Sequence, residues 1–352
     1  MKIAFFDSGI GGLSVLAEAL RRFSEAEFLY FTDEDHVPYG TKSRAEIVRL
    51  SLDAVGFLVS RGADAVVVAC NTATSAAISE LRGAFSVPVI GMEPAVKLAA
   101  DSFGARPTLL IATPLTIAGE KLARLVGRLE CETWSLPLPR LVEFAQDLEF
   151  GSPAVRAYLR EELAKFELER LGSLVLGCTH FNYFKDVLRE ILPSHVRIID
   201  GIDGTLNRLA SELDGQLKLA CGEDLPSRAT KFNTGGDIKF NANSQTGELG
   251  AIRERDGKLA GNARGVEQCD EDKCRMSPHA VDANLQLKLY SRGGADLSLE
   301  FELRSEEAGI SRVNYPNGNS VEYFCSGRAL DAAQLRKVEL FLKRLDAMRA
   351  ID

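Results

Sequence analysis

A chain of 352 residues, 45% hydrophobic and 26% charged, is long enough for two or three domains and can bury a full core without disulfides. Its net charge of −8 argues against a nucleic-acid or anionic-membrane surface, and no apolar run approaches a membrane span. Seven scattered cysteines fit a reducing cytoplasm better than a disulfide framework, and the start Met1-Lys2-Ile3-Ala4-Phe5-Phe6-Asp7 turns polar too soon for a signal peptide.

In chain order, residues 1–205 alternate between apolar strand segments and helical patterns. The strands are expected at 2–6, 27–32, 64–69, 87–90, 108–112, 173–177 and 196–199. Helices are expected at 12–23, 43–60, 72–84, 94–101, 115–128, 153–170, 181–192 and 203–214. Such alternation predicts an α/β fold with parallel sheets, in which ligands bind at the carboxyl ends of the strands. The pattern occurs twice, on either side of a junction running from Glu93-Pro94 to Arg106-Pro107, and predicts two similar doubly wound lobes with a cleft between them. Lobe 1 is expected over 1–95, completed by about 205–240 and a strand–helix unit at 321–349; lobe 2 is expected over 96–204. After residue 228 the period changes to two. Leu285, Leu287 and Leu289, then Leu297, Leu299, Phe301 and Leu303, then Val313 and Tyr315, then Val321 and Tyr323 alternate with polar residues between Gly- and Asn-rich turns. This pattern predicts an antiparallel, β-rich insertion over 241–320, irregular over 241–282, ahead of a final helix near 331–349.

Two cysteines stand in near-equivalent settings. Cys70 ends the run Ala65–Ala69 and opens Cys70-Asn71-Thr72-Ala73-Thr74-Ser75; Cys178 ends Ser173–Gly177 and opens Cys178-Thr179-His180-Phe181. Each thiol is expected at a strand exit where a helix begins. Unpaired N–H groups there favour a thiolate and a bound carboxylate. Asn and Thr also cap helices, yet two such Cys-plus-hydroxyl starts are hard to ascribe to capping alone. His180, two residues from its thiol, can assist ionisation or carry a proton.

The loop Asp7-Ser8-Gly9-Ile10-Gly11-Gly12 also joins a strand to a helix. It lacks the Lys-Ser/Thr of a phosphate loop, and Asp7 would repel phosphate; it suits an amino group or a neighbouring thiol. Asp33 follows a strand, and Pro38-Tyr39-Gly40 can serve as a turn or touch a substrate through the Tyr39 hydroxyl and the Gly40 N–H. Cys269, Cys274 and His279 are separated by gaps of four residues, looser than zinc pairs, and no metal is expected. Cys131 and Cys221 read as structural.

Asp7-Ser8-Gly9-Ile10-Gly11-Gly12, Pro38-Tyr39-Gly40, Cys70-Asn71-Thr72-Ala73, Gly91-Met92-Glu93-Pro94 and Gly177-Cys178-Thr179-His180 resemble, in order, the motifs of the glutamate racemases within the aspartate/glutamate racemase superfamily. The resemblance covers about residues 1–240. It implies a cofactor-independent transfer of a proton at Cα of glutamate, with Cys70 acting on D-glutamate and Cys178 on L-glutamate. By the same resemblance Asp7 assists Cys70, His180 assists Cys178, and Asp33 supports the site. Ser8, Tyr39, Gly40, Asn71, Thr72, Thr116 and Thr179 then hold the substrate. Pro139-Arg140-Leu141-Val142-Glu143 matches a family segment whose Glu has an auxiliary acid–base role, which makes Glu143 a candidate. D-glutamate for peptidoglycan places such an enzyme in a bacterial cytoplasm. The stretch 241–320 holds 10 basic and 13 acidic residues, which disfavours nucleic acid; homodimerisation and regulation are the two roles left open for it. The alternatives are an aspartate or hydantoin racemase, or a non-catalytic module that senses an amino acid. Thiol–disulfide exchange is disfavoured because the chain has no Cys-x-x-Cys motif.

Overall fold

Two parallel sheets organise the chain, and the carboxyl ends of their central strands supply the site. The computed structural model describes residues 1–221 except 25 and 104, 302–303, and 311–349 except 316. By contacts the chain divides into Met1–Ser227 with Leu287–Asp352, which holds every element below, and Arg228–Gln286, outside the described residues. The expected strands at 285–301 and the trio Cys269, Cys274 and His279 also lie outside the described residues.

The first sheet contains β1 (Lys2–Asp7), β2 (Glu27–Thr32), β3 (Ala65–Val68) and β4 (Val89–Gly91), all parallel. Ala65-Val66-Val67-Val68 is buried throughout, as a strand covered by helices on both faces requires. The covering helices are α1 (Leu13–Arg22), α2 (Arg44–Ser60) and α3 (Asn71–Ala84). Register aligns the strand ends: Asp7 pairs with Thr32, and Phe6 with Val68. Ser8, Asp33 and Cys70 therefore leave the sheet along one edge.

The second sheet has the order β6-β5-β7-β8, from β5 (Thr108–Ala112), β6 (Thr133–Pro137), β7 (Ser173–Gly177) and β8 (Arg197–Ile199). Ala112 pairs with Gly177, so Thr113 and Cys178 emerge side by side. Around it lie α4 (Val96–Phe103), α5 (Pro114–Ile117), α6 (Glu120–Val126), α7 (Pro139–Gln146), α8 (Pro153–Leu163) and α9 (Lys185–Ile191), followed by α10 (Ile202–Cys221). The mixed α/β fold with parallel sheets thus has the expected alternation, with four differences. The helix expected at 115–128 splits at Gly119, which caps α6 and sits against the Ser75 hydroxyl. The helix expected at 153–170 ends at Leu163, with a 3-10 turn at Leu168–Arg170. The helix expected from 181 begins as the 3-10 segment Thr179–Phe184 and becomes α9 only at Lys185. The strand β6 and helix α7 were not expected; β6 is a largely solvent-facing edge strand whose apolar signal is weak.

Late segments return to the first sheet. There β9 (Glu302–Leu303), β10 (Ser311–Asn314), β11 (Ser320–Cys325) and β12 (Arg328–Ala329) pair antiparallel among themselves, while β11 runs parallel to β2. β10 falls inside the stretch read from sequence as an insertion, yet it extends the sheet of lobe 1. The last helix, α11 (Ala332–Arg349), packs on α1 and on the Thr179–Phe184 segment. Among the described residues no helix is long and apolar enough to cross a membrane.

Candidate active site

Asp7 ends β1 with its carboxylate wholly buried. Its Oδ1 accepts from the Ser8 N–H at 2.6 Å, and its Oδ2 accepts from the Thr179 hydroxyl of the other lobe at 2.8 Å. The Ser8 hydroxyl stands 3.3 Å from the sulfur of Cys70, and the Ala73 N–H donates to that sulfur at 3.4 Å across the first turn of α3. Asp7, Ser8 and Cys70 of one lobe thus meet Thr179 of the other, next to Cys178. Cys70 is 5% exposed and Cys178 7%, so the cleft is closed over both thiols.

The glycines of the first loop serve this closure rather than a phosphate. A Cβ on Gly11 would stand 2.5 Å from Nδ1 of His180 and 2.6 Å from the Thr179 hydroxyl oxygen, so only glycine lets the second lobe approach. Tyr183 reinforces the contact by donating its hydroxyl to the Ile10 carbonyl at 3.2 Å.

His180 lies in the 3-10 segment with Nδ1 3.9 Å from the sulfur of Cys178 and Nε2 3.0 Å from Nε2 of Gln146. Gln146, on α7, also accepts from Lys337 of α11 at 3.3 Å. Glu143 is on the same helix but exposed, and the structure does not bring it to the thiols. Gln146, one turn on, occupies the position against His180.

Asp33 is a support shared by several elements. It accepts from the Tyr39 hydroxyl at 2.7 Å and the Ser326 hydroxyl at 2.9 Å, contacts Nδ1 of His36 at 2.8 Å, and its backbone N–H donates to the Asp7 carbonyl at 3.1 Å. Tyr39 is therefore committed to Asp33, and burial and the Asp33 charge push its hydroxyl pKa far above the usual range. Gly40 lies against Thr113, whose Cβ is 3.2 Å from where a Gly40 Cβ would be. Across the cleft, Thr72 is 2.9 Å from Thr113 and 3.4 Å from Thr116, and Thr113 is 2.9 Å from Thr116, hydroxyl to hydroxyl. Asn71 is buried beside them with neither amide atom hydrogen-bonded.

The structure corrects one electrostatic expectation. The helix start was expected to favour thiolates, but burial wins. Burial, then the Asp7 charge, pushes Cys70 up to about 12, and the Ser8 and Ala73 donors only partly offset this. Cys178 is also pushed well up by burial, then by Cys70 and Asp7, against donation from the His180 and Phe181 N–H groups. Each thiol is thus held protonated, and Cys178 senses the charge of Cys70. Burial also lowers His180, so its imidazole is neutral.

Most expected residues converge: Asp7, Ser8, Asp33, Tyr39, Gly40, Cys70, Asn71, Thr72, Thr116, Cys178, Thr179 and His180. Thr113, Gln146, Ser326 and Lys337 were missed. Thr113 had a signal, as the residue between a strand and Pro114; the other three reach the site only through tertiary folding. Among the described residues no cluster of His, Cys, Asp or Glu could hold a metal ion.

The family model described as Asp/Glu/Hydantoin racemase matches residues 11–209. A glutamate racemase of Campylobacter curvus is 57% identical over 231 residues, 63% of this chain and 86% of the relative. The crystal structure of Escherichia coli glutamate racemase, in complex with L-glutamate and the activator UDP-MurNAc-ala, is similar at 32% identity and TM-score 0.55, covering 60% of this chain and 82% of that one. Francisella tularensis glutamate racemase, in complex with D-glutamate, is similar at 29% identity and TM-score 0.55, covering 61% and 81%. The chain belongs to the Asp/Glu/Hydantoin racemase family and is an isomerase.

Proposed function

We propose that this chain interconverts L- and D-glutamate by a two-thiol proton transfer at Cα, in which Cys70 and Cys178 flank the carbon. The observation that carries the reading is the pair of buried cysteines from opposite lobes, whose charges are coupled, in a site joined by Asp7 and Thr179.

One cysteine acts as thiolate. It takes the Cα proton; the C–H bond breaks, an S–H bond forms, and the electron pair stays on the substrate, delocalised into the α-carboxylate. The opposing thiol then gives its proton to the other face, and the two cysteines exchange protonation states. The α-carboxylate is stabilised by donors where charge develops: the hydroxyls of Ser8, Thr72, Thr116 and Thr179 and the amide of Asn71 supply them. Leaving both polar atoms of Asn71 buried and unpaired costs about 1–3 kcal/mol, which a bound polar ligand offsets. The substrate ammonium near Asp7 opposes the charge that raises both thiols, so binding itself lowers the cost of a thiolate. A closed, water-poor cleft strengthens each of these interactions. Cys70 is assigned to D-glutamate and Cys178 to L-glutamate, with Asp7 and His180 as their partners. Supplying D-glutamate for peptidoglycan synthesis is the role this reading assigns.

The test is exchange. The pure protein, reduced and without added pyridoxal phosphate or metal, is expected to incorporate deuterium at Cα of glutamate in heavy water and to equalise the enantiomers. Cys70→Ser and Cys178→Ser are each expected to abolish racemisation. A folded, reduced protein that exchanges aspartate or a hydantoin but not glutamate would move the substrate; one that exchanges none would end the reading.

A further inference from the structure

We propose that Lys337 and Gln146 fix the tautomer of His180, so that its Nδ1–H faces the sulfur of Cys178 as a hydrogen-bond donor. The effect on turnover rests on the racemase reading above; the tautomer does not.

The contacts form one chain. Lys337 Nζ is 3.3 Å from Gln146 Oε1, Gln146 Nε2 is 3.0 Å from His180 Nε2, and His180 Nδ1 is 3.9 Å from the Cys178 sulfur. A lysine ammonium has donors and no acceptor, so the amide must turn its oxygen to Lys337 and its NH₂ to His180. The reversed amide would set NH₂ against NH₃⁺, donor to donor. An amide NH₂ also only donates, so Nε2 of His180 must be the bare, accepting nitrogen. The neutral imidazole then carries its hydrogen on Nδ1, and that hydrogen lies on the side of Cys178.

Gly9 keeps this contact open. A Cβ there would overlap Nε2 of Gln146 and stand 3.1 Å from Nε2 of His180. Lys337 is itself held, 3.8 Å from Glu34, which follows Asp33. The charged or titratable groups facing His180 are Asp7 after β1, Cys178 on its own segment and Lys337 from α11. With Nδ1–H toward it, the sulfur is stabilised as thiolate, which burial and Cys70 oppose. With the other tautomer, a nitrogen lone pair would face the sulfur and favour the thiol. Lys337 reaches Cys178 only through Gln146 and His180; it is a positioning residue, supplied by α11.

The test reads the tautomer directly. The protein has four histidines, and long-range nitrogen–proton spectra of ¹⁵N-histidine-labelled protein distinguish Nδ1–H from Nε2–H, with His180 assigned by its loss in His180→Gln. Nδ1–H is expected for His180 in the wild type and in Lys337→Arg. Lys337→Met is expected to populate Nε2–H, and Gln146→Glu, whose carboxylate only accepts, to place a proton on Nε2. In parallel, α-deuterium exchange of L-glutamate is expected to fall about tenfold in Lys337→Met and less than about threefold in Lys337→Arg. Nε2–H in the wild type overturns the proposal. So does Lys337→Met with an unchanged tautomer, or with a changed tautomer and undiminished exchange. If the wild type exchanges no glutamate, the substrate reading falls, and the spectra of the wild type, Lys337→Arg and Gln146→Glu still decide the tautomer.

Discussion

In the proposed mechanism Cys70 and Cys178 face opposing demands. A thiol that must take a proton from carbon needs to ionise, yet the closed cleft disfavours charge on either sulfur. Burial and Asp7 move Cys70 from 9.0 to about 12, so the unfolded thiol ionises first as pH rises. Between those values the unfolded state holds fewer protons, so the stability contributed by the protonated Cys70 is complete below about 9 and is lost as pH climbs toward 12. Denaturant midpoints measured from pH 8 to 10.5 are therefore expected to drop further in the wild type than in Cys70→Ser. Tyr39 and Cys178 are raised in the same direction partly by the Cys70 charge, so removing that charge flattens the variant's pH dependence further. Equal slopes would show that Cys70 is not held protonated by the fold. Much of this site could be read from the sequence because Ser8, Asp33, Cys70, Asn71, Cys178, Thr179 and His180 each follow a strand end by one to three positions, where the α/β fold gathers its chemistry. The balance at the sulfurs could not. A helix start and a buried closure act in opposite senses, and only the closed packing decides between them.

At the scale of elements, β11 is the instructive case. It takes the place beside β2 that would otherwise leave that strand with a bare edge, and the turn before it is tied down by one buried amide. Asn319 donates to the Leu20 carbonyl at 2.9 Å and the Phe23 carbonyl at 2.7 Å, and accepts from the Ala26 N–H at 3.0 Å. Asn319→Leu leaves the Phe23 carbonyl and the buried Ala26 N–H without this partner, while the Leu20 carbonyl keeps the Asn317 amide at 2.6 Å, and it is expected to cost about 3 kcal/mol in chemical denaturation. A loss below about 1 kcal/mol would mean the turn is not anchored there. The alternation of β10 and β11 was legible as a hairpin, because Val313 and Tyr315 face Val321 and Tyr323 across Pro316–Asn319. That β11 would run parallel to β2, far away in sequence, was not. The same limit hid Gln146. It sits on a short helix behind a weak edge strand, and its importance comes from His180 and Lys337, each distant in sequence and adjacent only in the folded chain.

For the whole molecule, the closed arrangement links the two lobes through contacts that are themselves site residues: Asp7 with Thr179, Thr72 with Thr113. In the proposed mechanism substrate entry breaks some of these and closure remakes them, so binding and assembly of the donor set are one event. The late segments add to both sides of the cleft: Ser326 reaches Asp33, and Arg344 of α11 reaches Asp186 and the Tyr183 carbonyl, at 2.9, 2.6 and 3.0 Å respectively. The placement of one thiol on each face of a single carbon is the claim on which the proposed mechanism depends. Its most direct measurement is the position of deuterium during the first few per cent of turnover in heavy water, started separately from each enantiomer. The product enantiomer is expected to carry deuterium at Cα while recovered substrate keeps its protium, from both directions. Deuterium appearing in recovered substrate before product, from either direction, would contradict a one-thiol-per-face site.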